Sequence, residues 1–200
     1  MTIYDLKPAF QNLLRPICRG LANIGVTANQ VTIAALVLSL ACGAALACFP
    51  TARWALLLVP AWLFLRMALN AIDGMLAREH NMKSALGGLL NEIGDVVSDT
   101  AIYAAFAFVP GLDAQLVMLV VLLAIFTEMA GVAAVQVGAS RRYDGPMGKS
   151  DRAFVFGLLG LLLGIGLEPA PWMNYALMAV AVLTAWTVLN RGRKALAEIR

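Results

Sequence analysis

Between Asn70 and Asp99 the chain sets amide and carboxylate side chains into otherwise apolar surroundings, in the run N-A-I-D-G-M-L-A-R-E-H-N-M-K-S-A-L-G-G-L-L-N-E-I-G-D-V-V-S-D. Charge in such a place is costly unless it is paired or used. At about 100° per helical residue, Asn70 and Asp73 stand roughly 60° apart on one helix, while Asn91, Asp95 and Asp99 climb a second helix at about 40° per step. Two oxygen-bearing faces can therefore meet. Gly74, Ala77, Gly87 and Gly88 remove bulk beside them, which lets a ligand or a neighbouring backbone come close. A second constellation, R-R-Y-D-G-P-M-G-K-S-D-R from Arg141 to Arg152, gathers cations in a turn containing glycine and proline, an anion trap by its chemistry.

The first stretch resembles the signature of the CDP-alcohol phosphotransferase family, D-x2-D-G-x2-A-R-x8-G-x3-D-x3-D. The pattern falls on Asn70, Asp73, Gly74, Ala77, Arg78, Gly87, Asn91 and Asp95 with the spacing kept throughout, and two acidic positions carry Asn. The resemblance implies transfer of a substituted phosphoryl group from a CDP-alcohol, typically CDP-diacylglycerol, to the hydroxyl of a second polar alcohol, with release of CMP and formation of a phospholipid. It implies Mg²⁺ or Mn²⁺, hard cations that prefer oxygen ligands, held by Asn70, Asp73 and Asn91. Asp95 takes the position of the base and is also a possible ligand. Asp73 is the surest ligand, because neutral Asn70 and Asn91 bind a dication less strongly than carboxylates and bridge two metals poorly. One firmly bound ion is expected, with any second weaker or brought by substrate. Arg78 should contact the nucleotide or diphosphate, with Gly74, Ala77 and Gly87 leaving room for the cytidine nucleotide. Asn29 and Thr32 match residues that help hold the nucleotide, although helix capping in T-A-N-Q-V-T explains them as well. Gly148, Lys149 and Arg152, with Arg142, resemble the basic cluster that lines a phosphorylated acceptor's pocket; cytoplasmic topology would require the same cations. A homodimer is implied too. Two other readings stay open: a catalytically weakened relative that binds CDP-lipid, for which the two Asn residues speak, and a small transporter with Arg66, Glu128 and Asp99 as its pathway.

The elements that must position these residues are membrane helices. The chain has 200 residues, is 61% hydrophobic and has a mean hydropathy of +0.80, which excludes an ordinary soluble domain. Apolar runs at 30–49, 54–72, 92–110, 114–137, 153–167 and 173–189 each approach the roughly 20 residues needed to cross a bilayer. The expected fold is an all-α integral membrane protein: six transmembrane helices over 27–200, preceded over 1–26 by a cytoplasmic interfacial helix and linker, with a polar cavity open to the cytoplasm. No repeat or linker divides the chain, so 1–200 reads as one domain. Lys7, Arg15, Arg19, Arg78, Lys83, Arg141, Arg142, Lys149, Arg152, Arg191, Arg193, Lys194 and Arg200 fall at the termini or in the second and fourth connections. Both termini should therefore face the cytoplasm, in a multi-pass protein of a bacterial-type inner membrane. The net charge of +3 fits contact with anionic membrane lipids and gives no sign of nucleic acid.

Residues 3–22 carry Ile3, Leu6, Phe10, Leu13, Leu14, Ile17 and Leu21 at helical spacing, interrupted by Pro8 and Pro16. Asp5, Lys7, Arg15 and Arg19 among them read against a cleavable leader. Cys18, Cys42 and Cys48 show no metal-ligand or disulfide pattern. Arg66, about two turns deeper than Asp73, needs an acidic partner, with Asp99 and Glu128 the candidates. Glu128 is either that partner or a carboxylate restoring charge lost at Asn70 and Asn91; the partner reading is preferred. Asp99 either lines the polar cavity or stands apart from it. Gly157, Gly160, Gly164 and Gly166 suit close helix packing within or between subunits. His80 reads as a solvated surface residue.

Overall fold

The apolar runs fold as helices, and in the computed structural model, which describes residues 3–199, no strand occurs among the described residues. The elements are α1 (Ile3–Asn23), α2 (Ala28–Cys48), α3 (Arg53–Glu79), α4 (Ala85–Ala104) followed by a 3₁₀ turn (Ala105–Phe108), α5 (Ala114–Gln136), α6 (Lys149–Gly164) and α7 (Pro171–Glu198). Arg200 and the side chains of Ile3, Leu6 and Lys7 lie outside the described residues.

Local chemistry sets the helix starts. The Thr27 hydroxyl accepts from the Gln30 N–H at 3.3 Å and the Gln30 carboxamide accepts from the Thr27 N–H at 2.9 Å, a reciprocal cap that opens α2. Asp113 Oδ1 accepts from the N–H groups of Gln115 and Leu116 at the start of α5. The Gly148 N–H donates to Asp151 Oδ2 at 2.8 Å, so α6 begins in the charged K-S-D-R turn, four residues before the apolar run. Pro171, which has no N–H to leave unsatisfied, begins α7.

Four helices, α2, α3, α5 and α7, are long and apolar enough to cross a membrane. At 20 residues α4 is also long enough, but it carries Glu92, Asp95 and Asp99; α6 has 16 residues. Leu86, Leu89, Ile93 and Val97 of α4 are exposed, while Asn91 and Asp95 on its other side are partly covered. Apolar outside and polar inside is the reverse of a soluble amphipathic helix, and it suits lipid.

Two compact units emerge, one from the chain up to Ala41 with Trp62–Ser98, the other from Cys42–Ala61 with the chain from Asp99 onward. In the first, Leu14 and Cys18 of α1 pack with Ala28 and Val31 of α2 and with Ala68, Ile72, Met75 and Leu76 of α3. Pro8 and Pro16 do not break α1, which runs unbroken from Ile3 to Asn23, and Pro16 lies on its exposed face. Leu13 and Ile17, from the same apolar set as Leu14, are exposed. Arg15 joins the helix to the end of α3 through a forked pair of bonds to Glu79, at 3.2 and 3.1 Å.

In the second unit, Tyr103 stacks on Phe156 with ring centroids 4.3 Å apart, and Phe106 meets the same ring at 5.2 Å. A side chain at Gly160 would meet the Leu56 carbonyl at 2.9 Å, so the glycines of α6 serve close packing against the first turns of α3 in the same chain.

Candidate functional site

On α3, Arg66, Asn70 and Asp73 follow at i, i+4 and i+7 and share one face. Asn91 and Asp95 form the matching face of α4. The faces meet: Arg66 donates to Asp95 Oδ1 at 3.1 Å and to the Asp95 carbonyl at 3.2 Å, and the Asn70 amide nitrogen donates to the same Oδ1 at 3.2 Å. Arg66 and Asp73 are buried. From the first turn of α2, the Thr32 hydroxyl donates to Asp73 Oδ2 at 2.8 Å.

These elements enclose a cavity of about 280 Å³ lined by residues that include Asn29, Thr32, Asn70, Asp73, Gly74, Ala77, Arg78, Gly87 and Asn91. Of the expected cation, nucleotide and diphosphate residues, only Asp95 is absent from this lining; it lies one turn further along α4. The Arg78 guanidinium folds back over Gly74, within 3.2 Å of where a Cβ would stand, and Lys83 adds a second cation to the wall. Gly87 lies against Asn29, whose Oδ1 would be 2.6 Å from a Cβ at that position and would have to move to admit one. The cavity thus has a carboxylate in one wall and cations in another, an arrangement able to hold a metal-bridged diphosphate.

A second polar cluster belongs to the other unit. Glu128 accepts from Arg152 at 2.9 Å and also pairs with Arg191 at 3.5 Å and Arg141 at 3.7 Å. Arg152 is 0% exposed and donates further to the Thr127 hydroxyl and the Met147 carbonyl, each at 3.0 Å. Arg191 donates to the Thr127 carbonyl and, through Nε, to that of Asp144 at 3.2 Å. Arg142 bridges Asp144 and Glu198. Lys194 reaches the other Asp144 oxygen at 2.8 Å, and this bond, ahead of the one from Arg142, holds the Asp144 carboxyl below the usual carboxylate range.

Two expectations need correction here. Arg66 bonds to the carboxylate of Asp95, whereas Glu128, one of its two expected partners, is engaged by three arginines of its own unit. Arg152, expected to face a ligand, is instead a fully covered member of that ion cluster. Asp99 is buried on α4 and Lys149 is half-buried in the first turn of α6. Sequence reasoning missed Arg141 and Arg191 as partners of Glu128. Gly131, one turn beyond Glu128, makes room for them: a Cβ there would lie 2.6 Å from the Arg142 carbonyl and 3.2 Å from the Arg191 guanidinium.

Residues 25–187 match the family model for CDP-alcohol phosphatidyltransferase. The chain belongs to that family. Inner membrane protein YnbA of Escherichia coli (strain K12) is 48% identical over 196 residues, covering 98% of this chain and 97% of its own. The phosphatidylinositol phosphate synthase of Mycolicibacterium smegmatis is 25% identical over 193 residues, covering 92% and 84%. The crystal structure of Mycobacterium tuberculosis phosphatidylinositol phosphate synthase with CDP-DAG bound has a TM-score of 0.76 at 20% identity, covering 90% of this chain and 92% of that one. A structure of the same synthase with manganese and citrate also gives 0.76, at 21% identity and with 90% and 88% covered.

The family implies a divalent ion, and the donor set of this chain fits one. Asp73 offers a carboxylate, and Asn70 and Asn91 offer amide oxygens in the same cavity wall. No group of three or more His, Cys, Asp or Glu suited to a metal occurs among the described residues. Oxygen donors of this kind suit a hard divalent cation.

Proposed function

We propose that this CDP-alcohol phosphatidyltransferase takes the phosphatidyl group from CDP-diacylglycerol and delivers it to the hydroxyl of a phosphorylated polar alcohol, releasing CMP. The observation that carries the reading is the cavity in which Asp73, Thr32, Asn29 and Arg78 come together around small residues at the family's motif positions. Arg78 and Lys83 bind the diphosphate as cations. Asn29 and Gly87 pack against each other to shape the nucleotide end, and Thr32 fixes the Asp73 carboxylate through its hydroxyl. Asp73, Asn70 and Asn91 would hold Mg²⁺ or Mn²⁺, which when bound supplies neutralisation of the diphosphate charge. Asp95 takes the proton of the acceptor hydroxyl as that oxygen attacks phosphorus, and CMP leaves. For the acceptor's phosphate the reading uses Lys149, half-buried in the first turn of α6, and Arg142.

The same proposal takes the protein as six-spanning, with both termini cytoplasmic, one domain over 1–200 and a homodimer, in line with the arrangement of its cations and with the family resemblance. Purified protein given labelled CDP-diacylglycerol, Mn²⁺ and a panel of polar alcohols should form a lipid from a phosphorylated acceptor in preference to serine or choline. Asp95→Ala should lower CMP release by about 10²-fold or more, the usual contribution of a positioned base. Lipid formation undiminished in Asp95→Ala would overturn that role. A second reading, a weakly active CDP-lipid-binding relative, is favoured by the hold of Arg66 and Asn70 on Asp95. It expects an inactive parent that gains activity on Asn91→Asp.

A further inference from the structure

A four-carboxylate motif presents four negative charges to its cations, whereas this chain presents only Asp73 and Asp95 from those positions. One of the two carries a fixed cation of its own, since the buried Arg66 guanidinium sits 3.1 Å from Asp95 Oδ1. The Asn70 amide nitrogen lies 3.2 Å from that same oxygen. An aspartate at position 70 could not donate there, and two carboxylates that close would repel unless a cation lay between them. The direct bond from Asn70 to Asp95 joins the two positions with no cation between them. The three features, two amides for carboxylates and an arginine one turn before the motif on the same face of α3, agree in sign. Each removes the need for, or the tolerance of, a second dication beside Asp95.

We infer that Arg66 replaces a second metal ion: its guanidinium supplies the positive charge at Asp95, and the site takes a single divalent cation on the Asp73 side. The assignment rests on the metal-binding part of the function proposed above and concerns Arg66 as a positioning residue that orients Asp95. A guanidinium tethered to the backbone and already bonded to a carboxylate cannot exchange with solution as a hydrated ion does. Wild-type protein should therefore keep the same ion count as Mn²⁺ rises.

The test counts Mn²⁺ by electron paramagnetic resonance on the full chain in detergent, with Mn²⁺ alone and with CMP added. Wild type should bind one Mn²⁺ per chain with a mononuclear spectrum. Asn70→Asp/Asn91→Asp, which keeps Arg66, should still bind one, and so should the same variant carrying Arg66→Lys. Adding Arg66→Gln to the two Asp substitutions should raise the count to two, with the broadened spectrum of a coupled pair. Two ions or none in wild type, two in the variant that keeps Arg66, or one in a helical and monodisperse Arg66→Gln triple variant would each overturn the inference. Should the triple variant fail to fold, the wild-type and Arg66-retaining counts decide alone. The counts need no turnover, so one bound Mn²⁺ without CMP release would sink the proposed transfer and leave this assignment standing. Turnover with two bound ions would do the reverse.

Discussion

Glu128 shows how much a single buried carboxylate can organise. It faces Arg152, Arg141 and Arg191, and its removal would strand two cations, Arg152 and Arg191, that are almost wholly covered. Breaking such a cluster by deleting one partner typically costs about 3–5 kcal/mol. Glu128→Gln should accordingly lower the thermal midpoint of the protein in detergent by many degrees, with loss of helical circular dichroism as the readout. A shift of a degree or less would show that the arginines find other partners. At this scale the sequence was legible where spacing alone decides, and opaque where partner choice depends on how helices dock. The Asn70/Asp73 and Asn91/Asp95 faces follow from 3.6 residues per turn. The partner of Arg66 does not, because it is the packing of α3 on α4 that brings Asp95 to the guanidinium.

Among the elements, α2 depends on its cap and α6 on its glycines. Thr27→Ala removes one half of the reciprocal cap and should cost about 1 kcal/mol, read as a lower thermal midpoint; Thr27→Ser should restore it. Because the cap also fixes the turn that carries Asn29 and Thr32, Thr27→Ala should raise the apparent KM for the CDP-alcohol more than it lowers kcat. Gly160→Leu would force a branched side chain into the Leu56 carbonyl and Pro60; overpacking of this kind typically costs about 1–3 kcal/mol. Wild-type stability in that variant would mean that α6 shifts freely against α3. The reach of α3 past its apolar run to Glu79, carrying the motif with it, was foreseeable from the helix formers of M-L-A-R-E. The continuity of α1 through two prolines was not, since it depends on which face of the helix is left open.

For the whole molecule, the distribution of charge decides both stability and function. Asp144 is bonded by Lys194 and Arg142, and its pKa is lowered on folding. A lowered carboxylate contributes stability that is complete above its unfolded value, about 3.9, and is lost as pH falls through the folded one. Wild type should therefore lose thermal stability relative to Asp144→Asn as the pH drops below that value, and the two should differ by a constant amount at neutral pH. The apolar surface and the cation pattern made a membrane protein legible from composition, whereas the short α6 and the carboxylates of α4 keep hydropathy alone from fixing the number of spans. The account stands on Asp73 facing a CDP-alcohol. The most direct check is the rate of CMP release from CDP-diacylglycerol in vesicles, with and without Mn²⁺, in wild type and Asp73→Asn. The account predicts release that requires both Mn²⁺ and a polar alcohol and that falls about 10²-fold or more in Asp73→Asn. Release unchanged by that substitution, or absent with every acceptor offered, would contradict it.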